Sequence, residues 1–230
     1  MAQRPLFIPD SNTVGVLEKS IDFTWAPGMA ASQKRKSIAS LHASASKLGY
    51  EKILEVSSKS ELELGVSLSA FNLIITTQKH SYKFSVESAF QGSKVFEKGG
   101  PFKDLFFKSS LDAKRDVRLK ESGNLIGFKF FGKDYPAIPR TFFYDWVYVN
   151  ALKQNVDLNK CLLGYDAFSD IEFNPKKSIN CQAHSVALFV SLRKNDLLSR
   201  ALESPESFLN ICSKVYESQK RNIGVQDTFI

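Results

Sequence analysis

The sequence predicts an α+β domain, mainly helical around a small sheet, and three observations carry that expectation. Short apolar or β-branched runs, such as residues 53–56 and 72–77, alternate with longer segments whose apolar residues recur at helical spacing. Residues 72–96 read as one strand, turn, strand, helix unit near the middle of the chain. A length of 230 residues with 43% hydrophobic content can bury a sizeable core. No linker, internal repeat or low-complexity segment divides the chain, so that core is expected to be continuous.

Taken in order, Leu6-Phe7-Ile8 and Ile21-Asp22-Phe23 read as strands leading into the domain, and Trp25-Ala26-Pro27-Gly28-Met29 as a turn. Ile38, Leu41, Ala45 and Leu48 give residues 31–48 a helix with one apolar face, stopped by Gly49. Its first turn carries Lys34-Arg35-Lys36, whose charges oppose the helix dipole and so point to an anionic partner. Residues 53–56 are expected to be a strand and 57–65 a polar turn or short helix. Residues 72–77 are a β-branched strand, and Tyr82-Lys83-Phe84 a strand entering the central helix.

Residues 103–122 look helical and highly charged, and 125–131 form a short apolar strand or buried loop. Tyr135-Pro136-Ala137-Ile138-Pro139 is a loop, since proline breaks both ladders and helices. Phe142, Trp146, Val149 and Leu152 mark a buried helical face, with a short helix following at 157–163. Residues 165–179 have no period and read as a long loop. Loops of that length often carry binding groups, which gives weight to Asp166, Asp170, Glu172 and Asn174. Helices over 180–192 and 205–219 close the domain ahead of a frayed end.

The chemistry is expected along the central helix. Ser85 is its N-cap and Gly99-Gly100-Pro101 its stop, so that Glu87, Gln91 and Lys94 recur at i, i+4 and i+7 and share one face, with Phe90 beside them. A solvated outer face with one favourable Glu-to-Lys alignment has the same spacing, so spacing alone leaves both readings open.

Composition narrows the function classes. A net charge of +7 tilts the protein toward polyanions, concentrated in Gln33-Lys34-Arg35-Lys36, in Lys114-Arg115 with Arg118 and Lys120, and in Lys176-Lys177. Cys161, Cys181 and Cys212 are widely spaced, and His42, His80 and His184 lack metal-ligand spacing, so neither a disulfide framework, a metal nor a cofactor is expected. With no secretory signal and no apolar stretch of about 18 residues, a soluble cytoplasmic protein without membrane contact is expected. Dinucleotide-binding, P-loop, nucleophile-elbow and zinc-protease motifs are all absent. Carboxylate-driven hydrolysis and simple binding remain.

Three segments, in order, resemble the NADAR N-glycosidases. Gly65-x-x-Leu68-Ser69-Ala70-Phe71 is similar to the family's glycine and Phe-Ser-Asn-Phe segment, with Leu68 and Ala70 in place of Phe and Asn. Ser85-Val86-Glu87-Ser88-Ala89-Phe90-Gln91-Gly92-Ser93-Lys94-Val95-Phe96 resembles the family's helix, Ser88 standing where the family usually has His. Asp170-Ile171-Glu172-Phe173 and Asn180-Cys181-Gln182-Ala183 are similar to its Asp-x-x-Trp-Gly loop and Asn-x-Leu-Gly helix start, with Phe173 for Trp and Ala183 for Gly. The resemblance covers residues 53–193. Together with Trp25-x-Pro27-Gly28 and Gln33-Lys34 it is similar to the branch encoded beside DNA ADP-ribosyltransferase toxins. It implies a single domain over residues 51–230, with residues 1–50 as an extension packed on it.

That branch implies an antitoxin that removes ADP-ribose from guanine bases of DNA, in functional pairing with the toxin. Cleaving a bond between an anomeric carbon and nitrogen builds positive charge on the sugar, which a carboxylate stabilises while it activates water. Glu87 is expected in that role, Asp170 as the second carboxylate, and Lys94 as a phosphate or ribose-hydroxyl contact whose charge keeps Glu87 ionised. Ser69 matches the family's serine, Gln91 and Asn180 supply neutral hydrogen bonds, and Phe71, Phe90 or Phe173 a face for the base. The alternatives are an N-glycosidase acting on small ribosylamine metabolites and a non-catalytic module that binds ADP-ribose or DNA.

Overall fold

The computed structural model describes residues 2–28 and 30–219. The chain opens with strands β1 (Ala2–Pro9) and β2 (Val16–Phe23), followed by helix α1 (Ala31–Ser46), strand β3 (Ile53–Glu55) and the short helix α2 (Glu63–Ser67). Strands β4 (Ile74–Thr76) and β5 (Lys83–Ser85) lead into helix α3 (Val86–Gly92) and strand β6 (Lys94–Phe96). A 3-10 turn at Lys103–Phe107 precedes α4 (Ser110–Arg115), α5 (Arg118–Glu121) and strands β7 (Leu125–Phe130) and β8 (Lys133–Pro136). Helices α6 (Phe142–Gln154) and α7 (Val156–Lys160), strand β9 (Ala167–Ser169) and helices α8 (Gln182–Lys194), α9 (Leu198–Ala201), α10 (Pro205–Ile211) and α11 (Ser213–Ser218) complete an α+β architecture.

The main sheet has the order β2-β1-β9-β3, antiparallel except for the parallel pair β9–β3. Alternation along each strand divides its side chains between two cores. Leu6, Ile53 and Ala167 face α1, where they meet Ile38, Leu41 and Ala45. Phe7, Leu54 and Phe168 face the larger core, to which α6 contributes Phe143 and Tyr148 and α8 contributes Val186 and Phe189. The first 23 residues therefore supply two of the four strands of this sheet. A hairpin, β4–β5, and an antiparallel sheet, β6-β7-β8, flank α3. Two glycines fix close approaches around the centre. A Cβ on Gly65 would fall 2.0 Å from the Glu55 carbonyl, and one on Gly92 2.5 Å from the Phe106 ring.

Several expectations need correction. The central helix ends at Gly92, not at Gly99-Gly100-Pro101, because β7 captures the chain: Lys129 N–H donates to the Ser93 carbonyl at 2.7 Å, and Lys94 pairs with Phe128. Lys94 is thus a strand residue rather than the third member of a helical stripe. Residues 165–179 are not all loop, since β9 runs through them in the middle of the main sheet. Tyr135 and Pro136 belong to edge strand β8, where proline's missing N–H leaves no central pairing unmet. The charged stretch 103–122 is three short turns of helix, and residues 205–219 are two helices broken at Cys212. Leu48, assigned to an apolar face, is exposed past the end of α1, and Cys161 is exposed while Cys181 and Cys212 are buried. The frayed end expected after residue 219 lies outside the described residues. No helix among the described residues is long and apolar enough to cross a membrane.

Candidate active site

The parallel strands β3 and β9 run side by side and end together, and the chain leaving each turns into a cleft of about 300 Å³. This is the position outside the carboxyl ends of parallel strands where ligand sites recur. One wall is Ser57 and Ser58 after β3 with Asp170, Glu172 and Phe173 after β9. The other is Glu87, Phe90 and Gln91 on α3, with Ser69, Ala70 and Phe71 beneath them and Lys114 of α4 at the rim. Of the nine residues predicted from the sequence, eight line the cleft: Glu87, Asp170, Ser69, Phe71, Phe90, Gln91, Phe173 and Asn180. Lys94 does not line it.

The helix wall is set by capping and by the backbone of one residue, Ala70. The Ser85 hydroxyl accepts from Ser88 N–H at 3.0 Å, the predicted N-cap, which fixes where α3 begins. Ala70 is held through both of its backbone groups: Glu87 N–H donates to its carbonyl at 2.9 Å and its own N–H donates to Gln182 Oε1 at 2.8 Å. Gln182 Nε2 in turn donates to the Val56 carbonyl at 2.7 Å, so one side chain at the start of α8 ties both walls together. The Tyr148 hydroxyl adds a bond to the Leu68 carbonyl. Ser88 does not line the cleft, and its hydroxyl donates to the Lys108 carbonyl at 3.1 Å.

Glu87 is 5% exposed, and its Oε1 accepts from Gln91 Nε2 at 2.9 Å and lies 3.6 Å from Lys114 Nζ. The bond to Gln91 also sets the amide's orientation, because a flipped amide would turn its oxygen toward a carboxylate. Gln91 Oε1 is left buried with no hydrogen-bond partner, and so is Asn180 Oδ1. An unpaired buried acceptor costs about 1–3 kcal/mol, which a ligand bringing a donor would offset. Lys114 Nζ also stands 5.1 Å from the centre of the Phe71 ring, so the rim cation and the most accessible aromatic face in the cleft act as a pair.

The sheet wall offers Asp170 no cation within ion-pair distance among the described residues. Asp170 Oδ1 accepts from Glu172 N–H at 3.0 Å and Phe173 N–H at 3.2 Å, while the Cys181 thiol is 3.9 Å from Oδ2. Burial, reinforced by the charge of Glu55, raises its pKa to about 8. Glu55 is fully buried and also raised by burial. It accepts from the Ser57 and Ser169 hydroxyls at 2.6 Å each and from Ile171 N–H at 2.8 Å. Beyond Ser169, His42 Nε2 lies 2.8 Å away on α1, its pKa lowered to about 4 by burial. Lys34 reaches the same loop from the start of α1, 3.3 Å from Glu172 and 4.7 Å from the Trp25 ring.

Lys94 stands behind Phe90, its Nζ 4.8 Å from that ring's centre. Burial lowers its pKa to about 8, the charge of Glu87 opposing that shift and Lys114 adding to it. Asp166 accepts from Lys52 N–H at 2.9 Å and Asn174 caps its own turn, so neither reaches the cleft. A wider hollow of about 880 Å³ beside the β1–β2 hairpin holds none of the nine predicted residues. Sequence reasoning named Lys114 only as part of a basic cluster, and it missed Tyr144, Gln182 and the Glu55 cluster as site residues. Of the missed residues Gln182 carried a signal, as the residue two after Asn180 in the third quoted segment.

No match was found among curated proteins. The profile of the family described as DarT1-associated NADAR antitoxin does match, over residues 2–222, which extends the resemblance in residues 53–193 through the N-terminal strands and past α11. With nearly its whole length matched, the chain belongs to the DarT1-associated NADAR antitoxins.

Proposed function

We propose that this protein hydrolyses the N-glycosidic bond between ADP-ribose and guanine in DNA, reversing in the cytoplasm the modification made by the DNA ADP-ribosyltransferase toxin with which it is paired. The observation that carries the reading is one cleft lined by two buried carboxyl groups in unlike surroundings, Glu87 3.6 Å from a lysine ammonium and Asp170 held toward its protonated form by burial. Most glycoside hydrolases use such a pair. Glu87 takes a proton from water as the water oxygen bonds to the anomeric carbon. The carbon–nitrogen bond breaks, and Asp170 gives its proton to the departing guanine nitrogen.

The unpaired oxygens of Gln91 and Asn180 accept from ribose hydroxyls, which supply donors where phosphate cannot. Phe71 offers a face to the base, and Lys114 attracts the phosphates. Phe90 and Phe173, both buried, shape the cleft, and the Ser69 hydroxyl accepts weakly from Phe71 N–H at 3.4 Å. Lys94 supports the charge of Glu87 from behind Phe90. No step requires a metal or cofactor.

The test is incubation with a guanine-ADP-ribosylated oligonucleotide in the presence of EDTA, followed by mass spectrometry. Release of ADP-ribose with restoration of unmodified guanine is expected. An intact adduct after exposure to folded protein would refute the hydrolase reading.

A further inference from the structure

Outside the cleft, the described surface carries a run of exposed aromatic rings that no apolar core absorbs. His80 and Tyr82, on the turn of the β4–β5 hairpin, stack with centroids 5.3 Å apart, and Phe107 meets Tyr82 edge-on at 5.5 Å. Tyr82 is 50% exposed and Phe107 65%. Burial normally claims rings of this size, so neighbouring exposed rings mark a surface that another molecule covers.

The charge around the rings says what kind of molecule. Lys79 and Lys83 flank His80 and Tyr82, Lys103 lies at the start of the turn that ends in Phe107, and all three are exposed. None of them enters an ion pair among the described residues. The nearby Asp104 is occupied by Arg118 at 2.7 Å and by Lys108 at 3.6 Å. No acidic residue occurs in residues 66–86. Stacking faces interleaved with uncompensated cations are the features by which proteins hold unpaired polynucleotide: bases lie on the rings and phosphates on the lysines. A duplex keeps its base faces covered and could use only the lysines.

This surface connects to the cleft. Residues 103–115 run from the aromatic ladder to Lys114 at the rim, and the Ser110 hydroxyl on the way lies 2.7 Å from Ser85 Oγ and donates to the Phe71 carbonyl at 2.8 Å. Strand β5 joins Lys83 to the start of α3, four residues before Glu87.

We infer that the His80, Tyr82 and Phe107 ladder with Lys79, Lys83 and Lys103 is a docking track for single-stranded DNA, holding the unmodified nucleotides that flank the base in the cleft. The inference rests on DNA being the substrate and adds that the strand is unpaired and where it lies.

The experiment is fluorescence anisotropy with a labelled, unmodified single-stranded oligonucleotide. Wild-type protein should bind it, and the Tyr82→Ala, Phe107→Ala double variant should bind about tenfold or more weakly, since each stacked base contributes that order of affinity. Lys79→Glu with Lys83→Glu should flatten the salt dependence by about one unit of log–log slope or slightly more, as expected for two lost phosphate contacts on a single strand. Hydrolysis of an ADP-ribosylated guanine mononucleotide, too short to reach the track, should keep its kcat/KM in both variants. Equal oligonucleotide affinity in wild type and the ring variant would overturn the inference. So would equal affinity for single strand and duplex, or a ring variant that lost only affinity for the toxin protein. Wild type that binds the strand but releases no ADP-ribose would leave the track standing and remove the hydrolase reading; full hydrolysis with ring-independent strand binding would do the reverse.

Discussion

Glu87 and Asp170 line one cleft from walls that differ in what surrounds them. The helix wall places Glu87 at the start of α3, within 3.6 Å of Lys114, in the field of Lys94 and hydrogen-bonded by Gln91. The sheet wall places Asp170 just past the end of β9, with backbone amides and a thiol as its partners and a second buried carboxyl, Glu55, close enough to raise its pKa further. Cations and a helix N-terminus favour a carboxylate, while burial beside another carboxyl favours an acid. The difference comes from topology: a rim helix can bring lysines over an opening, whereas the end of a central strand is enclosed by its neighbours. Under the proposed hydrolysis, unlike surroundings would let one residue type supply both a base and an acid.

Removing the base should have the largest effect. Glu87→Gln is expected to lower kcat/KM for adduct hydrolysis by a factor on the order of 10³, within the range for general-base removal, while circular dichroism stays native. Retained activity in that folded variant would take Glu87 out of the chemistry and end the contrast.

Asp170→Asn should follow, with a loss of about 10²-fold near neutral pH and a changed pH profile. Asp170's folded pKa is raised, so it carries its proton below about 8 and loses it above. The wild-type rate should therefore fall as pH rises through about 8, and the variant should lack that limb. Stability has the same sign. Between the ordinary carboxyl pKa of 3.8 and about 8 the folded chain holds a proton that the unfolded chain releases, so stability declines as pH climbs through that window. The variant, having no such proton, should show a flatter decline in urea titrations at successive pH values. A wild-type rate limb that persists in Asp170→Asn would assign the proton to Glu55 or another group.

The legible parts of the site were those that a local pattern dictates. Ser85 as N-cap follows from one hydroxyl ahead of an apolar helix, and Glu87 and Gln91, one turn apart, share a face whatever the fold does beyond them. Lys94 failed as a helical position because the helix end is decided by a partner strand more than thirty residues later, when Phe128 and Lys129 draw Ser93 and Lys94 into a sheet. Strand β9 was hidden for a related reason. Three residues, Ala167, Phe168 and Ser169, have no readable period, and their strand character comes from β1 and β3 on either side. Lys114 lies in a segment so charged that no single lysine stands out, and Glu55 ends an apolar strand whose sequence gives no sign that two serines and an amide will satisfy it.

A smaller effect should separate the two lysines nearest Glu87. Lys114 is half exposed at the rim, where an ion pair contributes little to stability but can attract a phosphate. Lys114→Met is expected to raise KM about fivefold with little change in kcat, equivalent to about 1 kcal/mol. That difference should shrink as salt screens the rim. A fall in kcat with KM unchanged would mean that the lysine acts on the transition state rather than on substrate capture.

Lys94 should give the smallest effect at neutral pH. It stands outside the cleft lining, and burial lowers its pKa to about 8, so its charge reaches Glu87 as a field rather than as a contact with substrate. In Lys94→Met the side chain keeps its length along Phe90 and loses only the charge. Near pH 7.5, kcat/KM should stay within about twofold of wild type, because the variant removes a charge that does not line the cleft. The stability consequence has its own sign. The folded pKa lies below the ordinary 10.5, so the unfolded chain binds more protons between about 8 and 10.5, and wild-type stability rises with pH across that window; the variant should not share the rise. A uniform loss of activity at every pH, or a raised KM, would place the Lys94 ammonium in contact with substrate. The two lysines would then do the same work, and the helix wall would hold its carboxylate with one cation fewer than the contrast requires.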